Sequence, residues 1–295
     1  MTMKRISRRH FFRQAVGAGV LGAAGTAAIA SKISMPSIIG SAQASDGALD
    51  QAALEGVAYF RQRNDAQIAL VDQLRAAIAT RDLAAAQRAY VDARPPYEEI
   101  ETLAASFEDS DSDIDARPYS FDGGETSDDF RGFHKVEYLL FRDDDLDLAA
   151  TYADTLAESH LKLHRELDEP QRYSALGSFE GMIGLAEEIG SKKISSEEET
   201  WSDQTLLIFK YNIIGIYSQY QPFSEAVAAG SAQTDAAVRD AYEAFRAALE
   251  GYDTGPGEAM TPYSRVRVSE RKIFSDATYR FRDALIAAAA QLNLI

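Results

Sequence analysis

Cysteine is absent from this 295-residue chain, so no disulfide framework, thiolate metal site or lipid-modified cysteine can form. Histidine is scarce, with four copies. The apolar stretch from Ala15 to Ala30 is shorter than the roughly 20 residues that cross a bilayer, so stable membrane insertion is not expected. Basic residues are in deficit, with 30 against 46 acidic ones, and this net charge of −16 excludes nucleic acid as a partner, because phosphate binding needs a basic surface.

The N-terminus has the pattern of an export signal. A twin-arginine pair, Arg8-Arg9, precedes the apolar stretch, and Ala42-Gln43-Ala44 offers a small-x-small cleavage site. This pattern predicts a Tat signal peptide over residues 1–44 and a freely soluble periplasmic protein, with an uncleaved membrane anchor as the alternative. The signal contains six basic and no acidic residues, so the net charge without it falls from −16 to −22.

The rest of the chain has the hydrophobic periodicity of helices almost throughout. Helical patterns cover residues 48–80, 82–94, 97–107, 130–141, 149–167, 176–189, 195–220, 234–252 and 266–292. Residues 108–129 form a predicted long acidic loop, and no stretch alternates as a strand does. The sequence therefore predicts an all-α fold, most simply helical bundles in two lobes, residues 45–170 and 171–295, that meet near Pro170.

A histidine and a glutamate carry the strongest chemical signal. His134 and Glu137 stand three residues apart in Gly132-Phe133-His134-Lys135-Val136-Glu137, so they share one face of a helix and can bind one metal ion. Glu98 and Glu101 have the same spacing after the proline pair. By spacing alone, a solvated helix face is the commoner interpretation of these two glutamates.

Other metal-site patterns are weaker. The D-x-D-x-D rhythm that ends at Asp115 invites a calcium-loop interpretation, but Ile114 takes the place of the turn glycine and Ser120 that of the bidentate glutamate, so an EF-hand is rejected. His160 and His164 are four apart and could form a looser metal pair. Charged helices often place histidine on the solvated face, and that interpretation is favoured here.

Four motifs in order resemble signatures of the imelysin-like family, which includes the EfeO and EfeM iron-uptake proteins. They are Pro96-Tyr97-Glu98-Glu99-Ile100-Glu101, then Ser106-Phe107-Glu108-Asp109 with Ile114-Asp115-Ala116-Arg117, then Gly132-Phe133-His134-Lys135-Val136-Glu137, and then Ser191-Lys192-Lys193-Ile194-Ser195-Ser196-Glu197-Glu198.

The resemblance implies a periplasmic, all-helical protein of two four-helix bundles with a metal site at the H-x-x-E motif. The residues that match the family's ligand positions are Glu98, Glu101, Asp115, His134 and Glu137. The cupredoxin domain that precedes this module in EfeO is not found, so the closer likeness is to the shorter EfeM form.

One segment departs from the family pattern. Where the iron-uptake members tend to have Tyr-Ser-His-Thr-Asp, this chain has Trp201-Ser202-Asp203-Gln204-Thr205. The family's aspartate falls on Thr205, and Asp203, two positions earlier, is the candidate replacement. The metal preference or affinity of this chain can therefore differ from that of its relatives.

One imidazole with several carboxylates and no sulfur suits Fe(III), Fe(II), Mn(II) or Zn(II). The preferred hypothesis is a binding component of iron uptake, and the resemblance implies an EfeU-type permease and an EfeB-type haem peroxidase as partners. A zinc-dependent metallopeptidase of the imelysin type is the alternative, but the H-E-x-x-H ligand set of such enzymes is missing. A third hypothesis is an exported helical bundle that scavenges cations or supports an envelope complex.

Overall fold

The chain folds into helices, as its periodicity predicts, with the longest connections at residues 116–132 and 250–267. The computed structural model describes residues 39–196, 198–255 and 257–295, with side chains from residue 47 onward except that of Ser196. Within those ranges there is no strand, and one isolated bridge pairs Asp253 with Met260. The all-α prediction is confirmed. Most of the predicted signal peptide, residues 1–38, lies outside the described residues.

Eleven of the helices carry the labels used below. They are α1 Ile39–Ala79, α2 Leu83–Ala93, α3 Pro95–Ile100, α4 Glu108–Asp115, α5 Phe133–Phe141, α6 Leu146–Leu167, α7 Ala175–Glu188, α8 Thr205–Tyr220, α9 Ser224–Gly230, α10 Ala232–Leu249 and α11 Val268–Gln291. A 3-10 segment, Glu101–Ser106, continues α3, and a π turn, Ile189–Lys193, continues α7 into the short turn Ile194–Ser196. In the part of the chain that the structure describes, no helix is both long and apolar enough to cross a membrane.

The proline pair changes the direction of the chain without a loop. Arg94 ends α2 and also precedes α3, with helical backbone angles (φ −69°, ψ −41°). Pro95 and Pro96 occupy the first positions of α3, where a missing amide hydrogen costs no helical hydrogen bond. Arg94 therefore lies buried at the junction of two helices.

Helix α3 is held closely against α8. A side chain at Gly215 of α8 would meet the carbonyl oxygen of Glu99 at 2.2 Å, so only glycine permits this approach. One turn before Gly215, the amide of Asn212 donates to the Glu98 carbonyl at 2.8 Å. The contact brings the polar residues of α3 and α8 together inside the protein.

The acidic segment is not one long loop. Residues Glu108–Asp115 form α4, so the prediction of a loop from residue 108 is wrong for its first eight residues. Acidic residues in the first turn of a helix interact favourably with its dipole. Farther along, Asp113 is neutralised by Arg131 Nε at 2.9 Å and Lys162 Nζ at 3.0 Å, and Ile114 is fully buried.

The helix predicted from residue 195 begins later. The structure has α8 starting at Thr205, and residues 198–204 are irregular. Asp203 has a left-handed backbone (φ 61°), and Glu199 N donates to Thr205 Oγ1 at 3.1 Å. The chain reverses here instead of continuing the helix, and the reversal carries Glu199 into the interior.

The compact unit extends over both predicted lobes. Judged by the contacts between residues, residues 49–295 form one compact unit, and a boundary lies just before Leu49. The described residues before Leu49 belong to the start of α1. A division into two four-helix bundles near Pro170 stays a prediction.

Candidate metal centre

Helix α5 begins in a conformation that only glycine adopts readily. Gly132, which precedes it, has φ 82° and ψ −164°, and a Cβ there would lie 2.3 Å from the carbonyl oxygen of Ile114. The start of α5 therefore packs directly on the end of α4. This contact brings Asp115, the last residue of α4, to the first turn of α5, where His134 lies.

His134 has carboxylates on both sides of its ring. Its Nδ1 is 3.1 Å from Glu137 Oε2 and 4.0 Å from Glu199 Oε1, whereas its Nε2 faces Asp115 Oδ1 at 3.4 Å. All four side chains are buried. His134, Glu137 and Glu199, named here the His–Glu–Glu group, offer ligand atoms that lie within 4.8 Å of one another, a separation that one metal ion can bridge.

Each glutamate of this group has one oxygen held and one directed at the centre. Glu137 Oε1 accepts the backbone amides of Trp201 and Ser202, both at 2.8 Å. Glu199 Oε2 accepts Tyr90 Oη at 3.0 Å and Ser202 Oγ at 2.8 Å. Glu137 Oε2 and Glu199 Oε1 remain on the His134 side, and Glu199 Oε1 is a buried acceptor without a hydrogen bond.

This arrangement fits the requirements of a metal site. Fixing one oxygen of each carboxylate orients the other, as outer hydrogen bonds do in metalloproteins. Asp115 beside Nε2 can hold the ring with its proton on that nitrogen, which leaves the Nδ1 lone pair for a cation. An imidazole and two carboxylates suit borderline and hard cations.

Arg94 connects these residues to α3. Its guanidinium forms ion pairs with Glu98, with Asp115 Oδ1 at 2.9 Å and with Glu199 Oε1 at 2.8 Å, and it lies 4.5 Å from the centre of the Phe133 ring. The side chain is completely buried. A buried charge of this kind is tolerated only where partners of opposite charge surround it.

A second polar cluster adjoins the first. Lys193 Nζ lies 2.8 Å from both Glu101 Oε2 and Glu198 Oε1, and Asn212 Nδ2 donates at 3.0 Å to Glu98 Oε2 and Glu101 Oε2. These five residues are named the lysine cluster. Arg117, which pairs with Glu198 and lies 3.8 Å from Asp115 Oδ2, links it to the imidazole of His134 through Asp115.

Five of the six residues predicted as ligands lie in or beside the two buried polar clusters. His134 and Glu137 belong to the His–Glu–Glu group, and Asp115 lies at the opposite ring nitrogen of His134. Glu98 and Glu101 belong to the lysine cluster; both are buried, so the solvated-face interpretation of their spacing is wrong.

Asp203 is engaged elsewhere. Its two carboxylate oxygens accept Ser264 N at 2.8 Å and Ser264 Oγ at 2.6 Å, and it is not among the residues that the structure brings together as the His–Glu–Glu group. Its predicted role as a ligand stays a prediction.

Burial and neighbouring charges move the pKa values of the site. Burial raises the pKa of Glu98, although the Arg94 charge acts in the opposite direction. Burial also raises the pKa of Glu199, with the Glu137 charge adding to the effect. For Asp115, burial alone would raise the pKa, but the charges of Arg94 and His134 outweigh it and lower the pKa well below its usual range.

His134 and Glu137 shift as a hydrogen-bonded pair. Burial and the Arg117 charge disfavour protonated His134, but Asp115 and Glu137 favour it, and the net effect raises the pKa of His134. Burial disfavours ionised Glu137, but the His134 hydrogen bond and charge and the amides of Ser202 and Trp201 lower its pKa overall. A cation at Nδ1 would therefore compete with a proton.

His160 does not lie on a solvated face. It is fully buried, its ring packs edge-on to Tyr97 and Phe133, and both ring nitrogens lack hydrogen-bond partners. The surface interpretation holds for His164, which is 38% exposed and lies 3.3 Å from Asp65. The two histidines therefore occupy different environments.

Glu199, Arg94 and Tyr90 were not predicted as site residues. Glu199 follows Glu197-Glu198 of the fourth motif by one position, and three successive glutamates gave no means of choosing the one that faces His134. In the sequence, Arg94 stands directly before the double proline and four residues before Glu98. This spacing of a basic and an acidic residue is the one pattern that could have indicated Arg94.

Comparison with known proteins identifies the family of this chain. Residues 53–293 match the family described as Imelysin. The chain belongs to the imelysin family. A crystal structure of an iron-regulated protein A precursor from Parabacteroides distasonis has a TM-score of 0.62, with 15% identity over 84% of this chain and 95% of that one. At this identity the likeness concerns the fold alone.

Several curated relatives bear names from iron uptake. An Efem/EfeO family lipoprotein of Staphylococcus haemolyticus is 30% identical over 68% of this chain and 70% of its own length. The iron uptake system component EfeM of Pseudomonas syringae is 27% identical over 80% of this chain and 82% of its own. The iron uptake system component EfeO of Yersinia pseudotuberculosis is 36% identical over 50% of this chain, and the match spans 40% of that relative's length.

Proposed function

We propose that this imelysin-family protein is an exported, non-enzymatic component of iron uptake that binds the cation at the His–Glu–Glu group. The observation that carries the proposal is a buried imidazole nitrogen facing two carboxylate oxygens, each on a side chain whose other oxygen is already held. The names of the EfeM and EfeO relatives supply iron as the cargo.

The chain's own residues would capture the ion in a defined order of contacts. The acidic surface raises the local cation concentration, since the net charge is −16. Part of the ion's water shell is then replaced by His134 Nδ1, Glu137 Oε2 and Glu199 Oε1. Asp115 holds the imidazole in position through the opposite ring nitrogen, Nε2. Glu98 and Glu101 remain the predicted source of further oxygen ligands.

Delivery requires a partner in the membrane. We propose a permease of the EfeU type as the acceptor and a haem peroxidase of the EfeB type as a second component, with export of the chain to the periplasm by the Tat pathway. Fe(II) and Fe(III) both suit the oxygen-rich donor set, and zinc or another divalent cation suits it as well.

Peptide hydrolysis is less well supported. The residue that a zinc peptidase would use as general base directly follows its first histidine, and here that position is Lys135. A free carboxylate for this task is also missing from the His–Glu–Glu group, because both glutamates are committed to the ion and to their own anchors.

The proposal is tested by calorimetric titration of the protein purified from its export compartment. Fe(II) under anaerobic conditions, and Zn(II) and Mn(II) separately, are titrated into the wild type, His134→Ala and His164→Ala. We expect one tight site, at least tenfold weaker in His134→Ala. His164→Ala is the matched control, because its ring is partly exposed and pairs with Asp65, and it should bind as the wild type does. Equal affinity in all three proteins contradicts the proposed site.

A further inference from the structure

Arg94 occupies the position from which it can compete with a bound cation. Its Nε is 2.8 Å from Glu199 Oε1, the oxygen that faces His134 Nδ1 at 4.0 Å. The contact is an ion pair without hydrogen-bond geometry, since neither Arg94 Nε nor Glu199 Oε1 has a hydrogen-bond partner. A cation that binds between His134 and Glu199 must take this same oxygen.

The arginine cannot leave the site for solvent. Its side chain is fully buried, its Nη2 is held by Glu98 and by Asp115 at 2.9 Å, and its guanidinium lies over the Phe133 ring. It therefore stays as a fixed positive charge next to the incoming ion. Like charges at this range repel strongly where water is excluded.

We propose that Arg94 is a positioning residue that serves as the built-in counter-ion of the metal site. Without a metal, its charge neutralises Glu199 and keeps Oε1 directed at the centre. When a cation arrives, Glu199 Oε1 transfers from the guanidinium to the ion, and Glu98 and Asp115 retain the arginine. The cost of this exchange lowers the affinity of the site and makes the cargo releasable. This inference rests on the proposed function, because it concerns the same site.

Lys193 provides a comparison within the same interior. It is also a buried cation that lies 2.8 Å from two carboxylates, those of Glu101 and Glu198, but none of its contacts is with the His–Glu–Glu group. Removing either charge leaves buried carboxylates without a partner and should destabilise the metal-free protein. Of these two buried cations, Arg94 is the one that contacts an oxygen of the His–Glu–Glu group.

Variants at these two positions test the inference, because both should be less stable and only one should bind Zn(II) more tightly. Arg94→Gln and Lys193→Gln are compared with the wild type for thermal unfolding without metal and for Zn(II) affinity by competitive titration. We expect a lower unfolding temperature in both variants and at least tenfold tighter Zn(II) binding in Arg94→Gln alone. Equal or weaker binding in Arg94→Gln overturns the inference and leaves the proposed function intact. Wild-type protein that binds neither zinc nor iron overturns both.

If Arg94→Gln does not fold, the exchange of Glu199 from Arg94 to the metal can be tested on the wild-type protein. The side-chain Nε–H resonance of Arg94 is identified by its loss in Arg94→Lys and followed by NMR during Zn(II) titration. We expect it to shift in step with site occupancy, whereas the Arg75 resonance, whose Nε donates to Asp154 on the exposed surface, should not move. An Arg94 resonance that stays in place at saturating Zn(II) contradicts the exchange.

Discussion

Glu199 and Glu101 form a matched pair for testing which buried carboxylates bind the ion. Glu101 Oε2 already has Lys193 and Asn212 as partners, whereas Glu199 Oε1 faces the imidazole. We expect Glu199→Gln to lower Fe(II) affinity at least tenfold, about 1.4 kcal/mol, and Glu101→Gln to lower it less. Titration of both variants measures the difference. An equal loss would extend the site to Glu101, as the family resemblance implies.

Asp203→Asn tests the last predicted ligand. Because both carboxylate oxygens bind Ser264, we expect metal affinity to stay unchanged and unfolding to become easier by no more than about 1 kcal/mol. Asparagine also tolerates the left-handed backbone at this position. Denaturant unfolding and metal titration of the same sample check both expectations, and a tenfold loss of affinity would restore Asp203 to the ligand set.

The buried imidazole of His160 should make stability depend on pH. Burial, assisted by the Arg94 charge, lowers its pKa to about 3. The folded protein therefore keeps His160 neutral, but the unfolded chain gains a proton below about pH 6.5. This contribution is complete above pH 6.5 and is lost as the pH falls towards 3, by a few kcal/mol in all.

The experiment compares His160→Phe with the wild type, since phenylalanine keeps an aromatic ring between Tyr97 and Phe133. Free energies of unfolding are measured between pH 7 and pH 4. We expect the wild type to lose stability relative to the variant as the pH falls. A difference that does not change with pH would mean that His160 takes up a proton as readily in the folded protein as in the unfolded chain.

Sequence and structure agree where one helix determines the geometry. The spacing of His134 and Glu137 places both on one face of α5 whatever the rest of the fold does. Glu199 enters the same group from 62 residues beyond Glu137, through an irregular segment whose path depends on backbone amides bound to Glu137 Oε1. No local pattern encodes such a contact, because its donors are backbone N–H groups, which every residue except proline possesses.

At the scale of elements, helices whose own sequence has a clear amphipathic pattern were predicted correctly. A helix that depends on contacts with distant residues was not. The helices α6, α10 and α11 have long amphipathic patterns, and their predicted bounds differ from the observed ones by at most three residues. Helix α4 was missed because its sequence is rich in aspartate, a poor helix former. Its stability comes from tertiary partners, Arg131 and Lys162, that bind Asp113.

The junction of α4 and α5 gives a prediction at this scale. Alanine at Gly132 would need a backbone conformation reserved for glycine and would collide with the Ile114 carbonyl. We expect Gly132→Ala to lower the free energy of unfolding by about 2–4 kcal/mol and to weaken metal binding, because Asp115 can no longer approach His134.

Gly124→Ala is the control for that variant. Gly124 also has a positive φ, 60°, but a Cβ there meets nothing within 4 Å, so the cost should be near 1 kcal/mol with unchanged affinity. Denaturant unfolding and Zn(II) titration are run on both variants. Equal destabilisation would show that backbone strain alone, without the Ile114 contact, explains the requirement for glycine.

On the scale of the whole molecule, the His–Glu–Glu group joins the two halves of the chain. His134 and Glu137 precede Pro170 and Glu199 follows it, so a bound ion would connect the two predicted lobes. Arg94 and Lys193 make ion pairs across the same boundary, with Glu199 and Glu101 respectively. Two lobes that share buried charges cannot separate without exposing unpaired ones.

The molecule should therefore unfold in one transition, and a metal should stabilise all of it. An ion at 100 times its dissociation constant adds about 2.7 kcal/mol to the free energy of unfolding. Calorimetric scans with and without Zn(II), and of His134→Ala as the variant without the imidazole ligand, measure this effect. We expect a single peak that moves upward with Zn(II) in the wild type and moves less in His134→Ala, whose affinity is expected to be at least tenfold weaker. Two peaks, with only one moved by the metal, would instead support lobes that fold separately and a site confined to one of them.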